Sequence, residues 1–174
     1  PAAGNTPRFE LLNADLAGRI ALVRGPQSAL WGSEAIGGVV TVDGDRPERS
    51  GLDATLEGGS FDTRRASATG SIVSGNVGAS LALAHQRAGG IDSFDGNGDR
   101  DGYRNTALRG LIRWQIAPSA QLTVNGFHLA GRSQYDGFDP FTFLRADTLD
   151  ETRNRLSAGR AALELGTAAS DWSG

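Results

Sequence analysis

Residues 24–42, RGPQSALWGSEAIGGVVTV, are the most informative stretch of this chain. The Gly25-Pro26 pair is a turn signal, because proline fixes φ and glycine tolerates a positive φ. Ser28 and Ser33 are candidate caps of two very short helical turns, each of which ends at a glycine. The β-branched run at residues 39–42 then favours an extended chain. The stretch therefore predicts a compact strand–turn–helix–strand unit.

This stretch resembles the end of the plug domain in TonB-dependent outer-membrane receptors. The family pattern is Arg-Gly-Pro-x-Ser-x-x-Tyr-Gly-x-x-Ala-Ile-Gly-Gly-Val, just ahead of the barrel. The matching residues are Arg24, Gly25, Pro26, Ser28, Gly32, Ala35, Ile36, Gly37, Gly38 and Val39. Trp31 stands where tyrosine is usual, and Asp43-Gly44-Asp45 is more acidic than the family's strand end. A glycine-rich loop of an unrelated β protein is the alternative, and it would require many coincidences.

The composition excludes several classes of function. The 174 residues include no cysteine, and every basic residue is an arginine, so disulfides, zinc–thiolate sites and lysine chemistry are ruled out. His85 and His128 are isolated, and we expect each to be a satisfied imidazole rather than a metal or haem ligand. Without a nucleophile–base pair, no enzyme is predicted. A net charge of −3 and scattered arginines argue against a nucleic-acid partner.

A polar break at residues 45–51 marks the predicted domain boundary. With the resemblance, residues 1–46 are expected to be the C-terminal part of a plug domain, and residues 47–174 the N-terminal strands of the barrel. The predicted fold class is mainly β, with the first antiparallel hairpins, about six strands, of a transmembrane β-barrel. Plugged transporters of this kind have about 22 strands. We therefore expect an internal segment of a larger receptor, one that lacks the TonB box.

Alternating hydrophobicity supports the strand prediction. In residues 77–85 and 107–116, apolar side chains fall on one face and mostly polar or small ones on the other. Tight turns such as Gly75-Asn76 alternate with two long acidic loops, predicted at residues 88–102 and 134–149. Short turns at one end and long loops at the other are typical of an outer-membrane barrel. A soluble β-sandwich would show a similar alternation.

Four arginines on the predicted strands are expected to form ion pairs inside the lumen or with the plug rather than to bind an anionic substrate. They are Arg64, Arg65, Arg109 and Arg113.

The first acidic loop places oxygen-bearing side chains at alternate positions, a pattern that suits calcium. Both possible EF-hand registers fail, because glycine and glutamate do not fall at the required positions. The barrel portion resembles the cobalamin transporters of the family through residues 132–136, RSQYD, and through Asp147-Thr148. In those transporters the matching aspartates bind calcium that orders the ligand-binding loops. The calcium ligands implied here are Asp92, Asp95, Asp99, Asp101, Asp136 and Asp147. The alternative is that these are ordinary solvated acidic loops.

The resemblance implies active import of a scarce nutrient across the outer membrane, most closely cobalamin. TonB and its inner-membrane complex would be the energy-transducing partner, with a contact site outside this segment, and outer-membrane lipid would surround the barrel. A ferric siderophore or haem receptor of the same family, which binds a metal chelate, is the first alternative. A secreted calcium-binding β module is the second.

Overall fold

The computed structural model describes residues 13–33, 35–44, 47–94 and 98–166. These residues form two antiparallel sheets, one of two strands and one of six, with very little helix. The prediction of a mainly β fold with about six barrel-type strands is confirmed. No helix among the described residues is long and apolar enough to cross a bilayer. The placement of the domain boundary stays a prediction.

Residues 24–42, with the strand that precedes them, fold as the predicted strand–turn–helix–strand unit. Strand β1 (Arg19–Arg24) leads into a single-turn helix α1 (Ser28–Trp31), and β2 (Gly38–Asp43) returns antiparallel to β1. Gly38 has φ 150°, and a Cβ there would lie 2.6 Å from the Val23 carbonyl oxygen. Only glycine fits this close approach between the two strands.

The predicted serine caps are wrong. Ser28 is the first helical residue rather than the cap, and the Gln27 residue that precedes it makes no side-chain capping hydrogen bond. Ser33 lies in a turn, and no second helix follows among the described residues. The helix closes instead through backbone bonds and ends at Gly32, with φ 90°.

The larger sheet runs in sequence order, and each strand pairs with the next. Its strands are β3 (Gly51–Gly59), β4 (Thr63–Ser74), β5 (Val77–Ala88), β6 (Tyr103–Ala117), β7 (Ala120–Phe138) and β8 (Arg145–Leu165). The predicted long loop at residues 134–149 is wrong, because β7 and β8 continue as a paired hairpin that only residues 139–144 connect. Predictions that concern Asp45, Asp95 and a turn at residues 168–171 lie outside the described residues.

One face of the six-stranded sheet packs against the N-terminal segment. A 3₁₀ turn (Ala14–Leu16) lies on this inner face, where Arg65 Nε is 2.6 Å from Asp15 Oδ2. Arg109 Nη1 donates a 2.5 Å hydrogen bond to the Leu16 carbonyl, and a Cβ at Gly44 would overlap the same guanidinium. Arg65 therefore makes the predicted ion pair with the N-terminal segment, and Arg109 ties the sheet to the same segment through a backbone carbonyl.

The same inner face carries the buried apolar side chains of the larger sheet, which are Ala82, Ala84, Ala107 and Leu129. Arg113 lines this face as well, over a cavity shared with the N-terminal segment. The expectation for Arg64 is wrong, because strand alternation turns its side chain to the outer face, next to Asp62.

The outer face is apolar and exposed. Cross-strand partners stack into rows, such as Val77, Trp114, Leu122 and Leu163, and next to it Ala79, Ile112, Val124 and Ala161. Both histidines lie on this face and bond to a neighbouring strand, at 2.8 Å between His85 Nδ1 and Thr106 Oγ1 and 2.7 Å between His128 Nδ1 and Ser157 Oγ. The prediction of satisfied imidazoles is confirmed.

Candidate metal site

An irregularity in the β7–β8 hairpin builds the candidate site. Tyr135 pairs with Asp150 and Gly137 pairs with Ala146, so a single β7 residue, Asp136, faces residues 147–149 of β8. Such an interruption of the ladder bends a strand and redirects its side chains. It turns Asp136 and Asp147 toward the same point.

Three carboxylates converge beside this irregularity. One oxygen each of Asp99, Asp136 and Asp147 lies within 4.8 Å of the other two. Asp99 comes from the loop between β5 and β6, so the cluster joins that loop to the neighbouring hairpin. Gly98 makes the approach possible, because a Cβ at that position would overlap Asp147 Oδ2.

Hydrogen bonds support the cluster from two sides. The Ser93 hydroxyl lies 2.8 Å from Asp136 Oδ2 and is also hydrogen-bonded to Asp101 Oδ2. The other Asp136 oxygen, Oδ1, accepts a 3.1 Å bond from the backbone N–H of Thr148. Asp101 Oδ1 is buried and has no hydrogen-bond donor among the described residues. Such an oxygen is usually satisfied by an ordered water or an ion.

Asp92 lies outside the group of three converging carboxylates, and its role as a calcium ligand stays a prediction. Its oxygens accept bonds from the backbone N–H groups of Phe94, at 2.9 Å, and Gly98, at 2.5 Å. It therefore shapes the loop and adds negative charge near Asp147. Asp95, also a predicted ligand, lies outside the described residues. Ser93 was not predicted, because a single serine between aspartates carries no sequence signal of its own.

The electrostatics of Asp147 reflect the crowding of these carboxylates. Its hydrogen bond to Asp99, followed by desolvation and the charges of Asp99, Asp136 and Asp92, raises the pKa of Asp147 from 3.8 to about 6. A carboxyl group beside like charges holds its proton more tightly. A bound cation would relieve the same repulsion.

The donor set fits calcium in chemistry. All the groups are oxygens, and calcium takes six to eight oxygen ligands at about 2.3–2.6 Å. The three carboxylate oxygens lie within 4.8 Å of one another, so one cation can contact all of them.

The family motif lies on the N-terminal unit. Its backbone closes on itself, with Gln27 N–H bonded to the Ala35 carbonyl at 2.8 Å and Gly25 N–H to the Gly37 carbonyl at 3.2 Å. Ala35 is buried, whereas Ile36 is 71% exposed. The remaining motif residues follow in order as Arg24, which ends β1, then Pro26, Ser28, Gly32 and Gly38.

Proteins of known function resemble this chain in sequence. No protein-family model matches the chain. It is 32% identical over 127 residues to the vitamin B12 transporter BtuB of Photobacterium profundum, which is 68% of this chain and 20% of that protein. Over 123 residues it is 29% identical to BtuB of Vibrio vulnificus, covering 67% of this chain and 20% of that protein. The chain thus spans about a fifth of the length of these curated relatives.

Two solved structures share the fold. FpvA of Pseudomonas aeruginosa, in complex with a heterologous ferric pyoverdine, matches with a TM-score of 0.71 and 19% identity, covering 89% of this chain and 22% of that one. The ferripyoverdine receptor of the outer membrane of P. aeruginosa matches with a TM-score of 0.60 and 19% identity, covering 78% of this chain and 18% of that one. At this identity the likeness concerns the fold.

Proposed function

Because the chain belongs to the TonB-dependent receptor family, we propose that it is part of an outer-membrane receptor that imports cobalamin with the help of calcium-ordered loops. The observation that carries the proposal is the convergence of Asp99, Asp136 and Asp147 from two consecutive connections at one end of the sheet. The curated relatives named as vitamin B12 transporters support the choice of ligand. TonB and its inner-membrane complex are the partners that this family membership implies.

Calcium would hold the loop between β5 and β6 against the β7–β8 hairpin. Asp99, Asp136 and Asp147 are its proposed ligands. Asp101 is a further proposed ligand, through its buried oxygen Oδ1. Loops fixed in this way lose less conformational entropy when a ligand binds, so the affinity for the ligand rises. Asp92 would act indirectly, by folding the loop around Gly98.

The test is cyanocobalamin binding by the full-length receptor that contains this chain, measured in detergent by calorimetry. We expect tight binding with calcium and weaker binding after chelation. Asp99→Asn with Asp147→Asn removes two of the three carboxylates and should weaken calcium binding about 100-fold, since charge count sets calcium affinity. Asp53→Asn, an exposed aspartate of β3, makes the same chemical change away from the cluster and should leave both affinities unchanged.

The possible outcomes separate the ligand from the ion. Calcium binding without cobalamin binding would reject cobalamin and favour a metal chelate, such as a ferric siderophore or haem. Cobalamin binding that ignores both chelation and the double substitution would reject the calcium site. A protein that stays soluble and folded without detergent would reject the outer-membrane location and favour a secreted calcium-binding module.

A further inference from the structure

Five arginines lie in a single row across the outer face of the sheet. Arg64 pairs with Arg87, Arg87 with Arg104, Arg104 with Arg132, and Arg132 with Arg153, on five consecutive strands. We call this set the arginine row. The residues are far apart in the sequence, and only the strand register aligns them.

The arginine row carries an excess of positive charge. Like charges directly opposite each other on neighbouring strands destabilise a sheet. Asp62 relieves one end, with an oxygen 2.9 Å from Arg64 Nη2 and another 3.2 Å from Arg87 Nη2. At the other end Glu151 contacts both Arg132 and Arg153.

Two carboxylates against five arginines leave three positive charges in excess. Arg104, at the centre of the row, is exposed and has no carboxylate partner among the described residues. Arg104 thus lies between two arginines that each share a carboxylate with an outer neighbour, and these two side chains are accessible: Arg87 and Arg132 are 49% and 45% exposed.

The arginine row borders the band of apolar side chains on the outer face of the sheet. The row that contains Val77 and Trp114 lies at the short-turn end of the sheet, and Arg87 is ten residues further along β5 than Val77. At about 3.4 Å per residue and a tilt of about 45°, this span covers roughly 24 Å along the barrel axis. The apolar band of an outer-membrane barrel is about 25 Å tall. The arginine row thus falls where the lipid head groups begin, on the side of the long loops.

We propose that the arginine row binds the phosphate groups of the anionic glycolipid in the outer leaflet, lipid A, with Arg104 at the centre of the contact. Guanidinium groups bind phosphate through paired N–H···O bonds, and basic clusters at a membrane interface recognise phosphorylated head groups. The aliphatic parts of the arginines lie along the apolar band while their charged ends reach the head groups. Phosphates would supply the missing anions between Arg87 and Arg132.

This inference rests on the outer-membrane location proposed above, but not on the identity of the imported ligand or on calcium. The arginine row lies on the outer face, whereas the calcium cluster lies beyond it, with Asp147 six residues from Arg153 along β8. The two sites use opposite charges and different residues, so they are tested separately.

The test is native mass spectrometry of the full-length receptor in detergent, titrated with diphosphoryl lipid A in the presence of EDTA, which removes bridging by divalent cations. The combined variant Arg87→Gln, Arg104→Gln and Arg132→Gln should weaken lipid A binding at least tenfold. The charge-matched control is Arg113→Gln, Arg145→Gln and Arg160→Gln, which removes three arginines outside the row. It should bind lipid A as the wild type does.

Equal lipid A binding by the wild type and the row variant would overturn the proposal, as would an equal loss in the control. Displacement of lipid A by inorganic phosphate at a similar concentration would mean that the row binds a free anion, and would overturn the lipid assignment. If the row variant folds poorly, the single variant Arg104→Lys is measured instead. It keeps the charge and should retain most of the lipid A binding. A receptor that purifies with the outer membrane but fails these tests leaves the proposed location intact.

Discussion

Two aspartates of the same hairpin, Asp139 and Asp147, have pKa values shifted in opposite directions. At its tip, Asp139 accepts hydrogen bonds from the backbone N–H groups of Phe141, at 2.9 Å, and Thr142, at 2.7 Å, and from the Thr142 hydroxyl, at 3.1 Å. Those bonds lower the pKa of Asp139. Eight residues on, Asp147 faces other carboxylates, and its pKa is raised to about 6.

The difference shows what separates a structural aspartate from a candidate ligand. N–H donors stabilise the ionised form of Asp139, so the tip is electrostatically complete without an ion. The carboxylates around Asp147 destabilise its ionised form, so that the cluster is complete only with a proton or a cation. Both residues are aspartates of an acidic, exposed hairpin, and composition alone does not distinguish them.

The largest effect is expected when Asp147 is displaced from the cluster without loss of its charge. Gly98→Ala should displace it, because the new Cβ would overlap Asp147 Oδ2. We expect calcium affinity to fall about 10- to 100-fold, as happens when the groups that orient metal ligands are lost. Calcium titration by calorimetry of the full-length receptor measures the change.

Gly58→Ala is the matched control for this variant. A Cβ at Gly58, in β3, meets nothing within 4 Å, so calcium affinity should not change. Unchanged calcium affinity in Gly98→Ala would show that the Asp147 carboxylate is not a ligand, and would leave the cluster as a set of solvated charges.

Calcium affinity should also depend on pH. Calcium binds the ionised carboxylate, and Asp147 is mostly ionised at pH 7 but mostly protonated at pH 5. Calcium affinity should therefore fall about tenfold from pH 7 to pH 5, for a pKa near 6. Calorimetric calcium titrations at pH 5, 6 and 7 test this, and the decrease near pH 6 should disappear in Asp147→Asn.

Without calcium, Asp147 and Asp139 make the free energy of unfolding depend on pH in opposite directions. The folded-state pKa of Asp147 lies above its ordinary value of 3.8, so the folded hairpin binds more protons between pH 3.8 and about 6. Its free energy of unfolding therefore falls as the pH rises through that window. Asp139, whose folded-state pKa is lowered, stabilises the hairpin above its ordinary pKa and loses this effect as the pH falls.

The strands were predictable because alternation and turn residues act locally. Val77 begins β5 after the Gly75-Asn76 turn, as predicted, and the two-faced pattern of residues 107–116 falls inside β6. The prediction of a loop at residues 134–149 was wrong, because these mostly polar residues form a paired hairpin. Polar composition predicts exposure to solvent, but it does not exclude strand pairing.

The candidate site was predictable in part, because its geometry depends on contacts between distant residues. The resemblance to the cobalamin transporters implied that Asp136 and Asp147 share a site, and the structure brings both together with Asp99. The ladder irregularity opposite Asp136 and the hydroxyl of Ser93 arise from register and packing, which leave no local sequence pattern. For the same reason, the alignment of Arg64, with its outward side chain, in a five-strand row was not foreseen.

The smallest effect is expected at the hairpin tip. Asp139→Ala removes the three hydrogen bonds that close the turn, so the amides of Phe141 and Thr142 should exchange with deuterium about three- to tenfold faster. Calcium affinity should stay within about twofold of the wild type, because Asp139 lies outside the cluster. Hydrogen–deuterium exchange and calcium calorimetry on one sample measure both quantities. A large loss of calcium affinity in Asp139→Ala would mean that the tip and the cluster form one cooperative unit, and that the contrast between the two aspartates is not a division of roles.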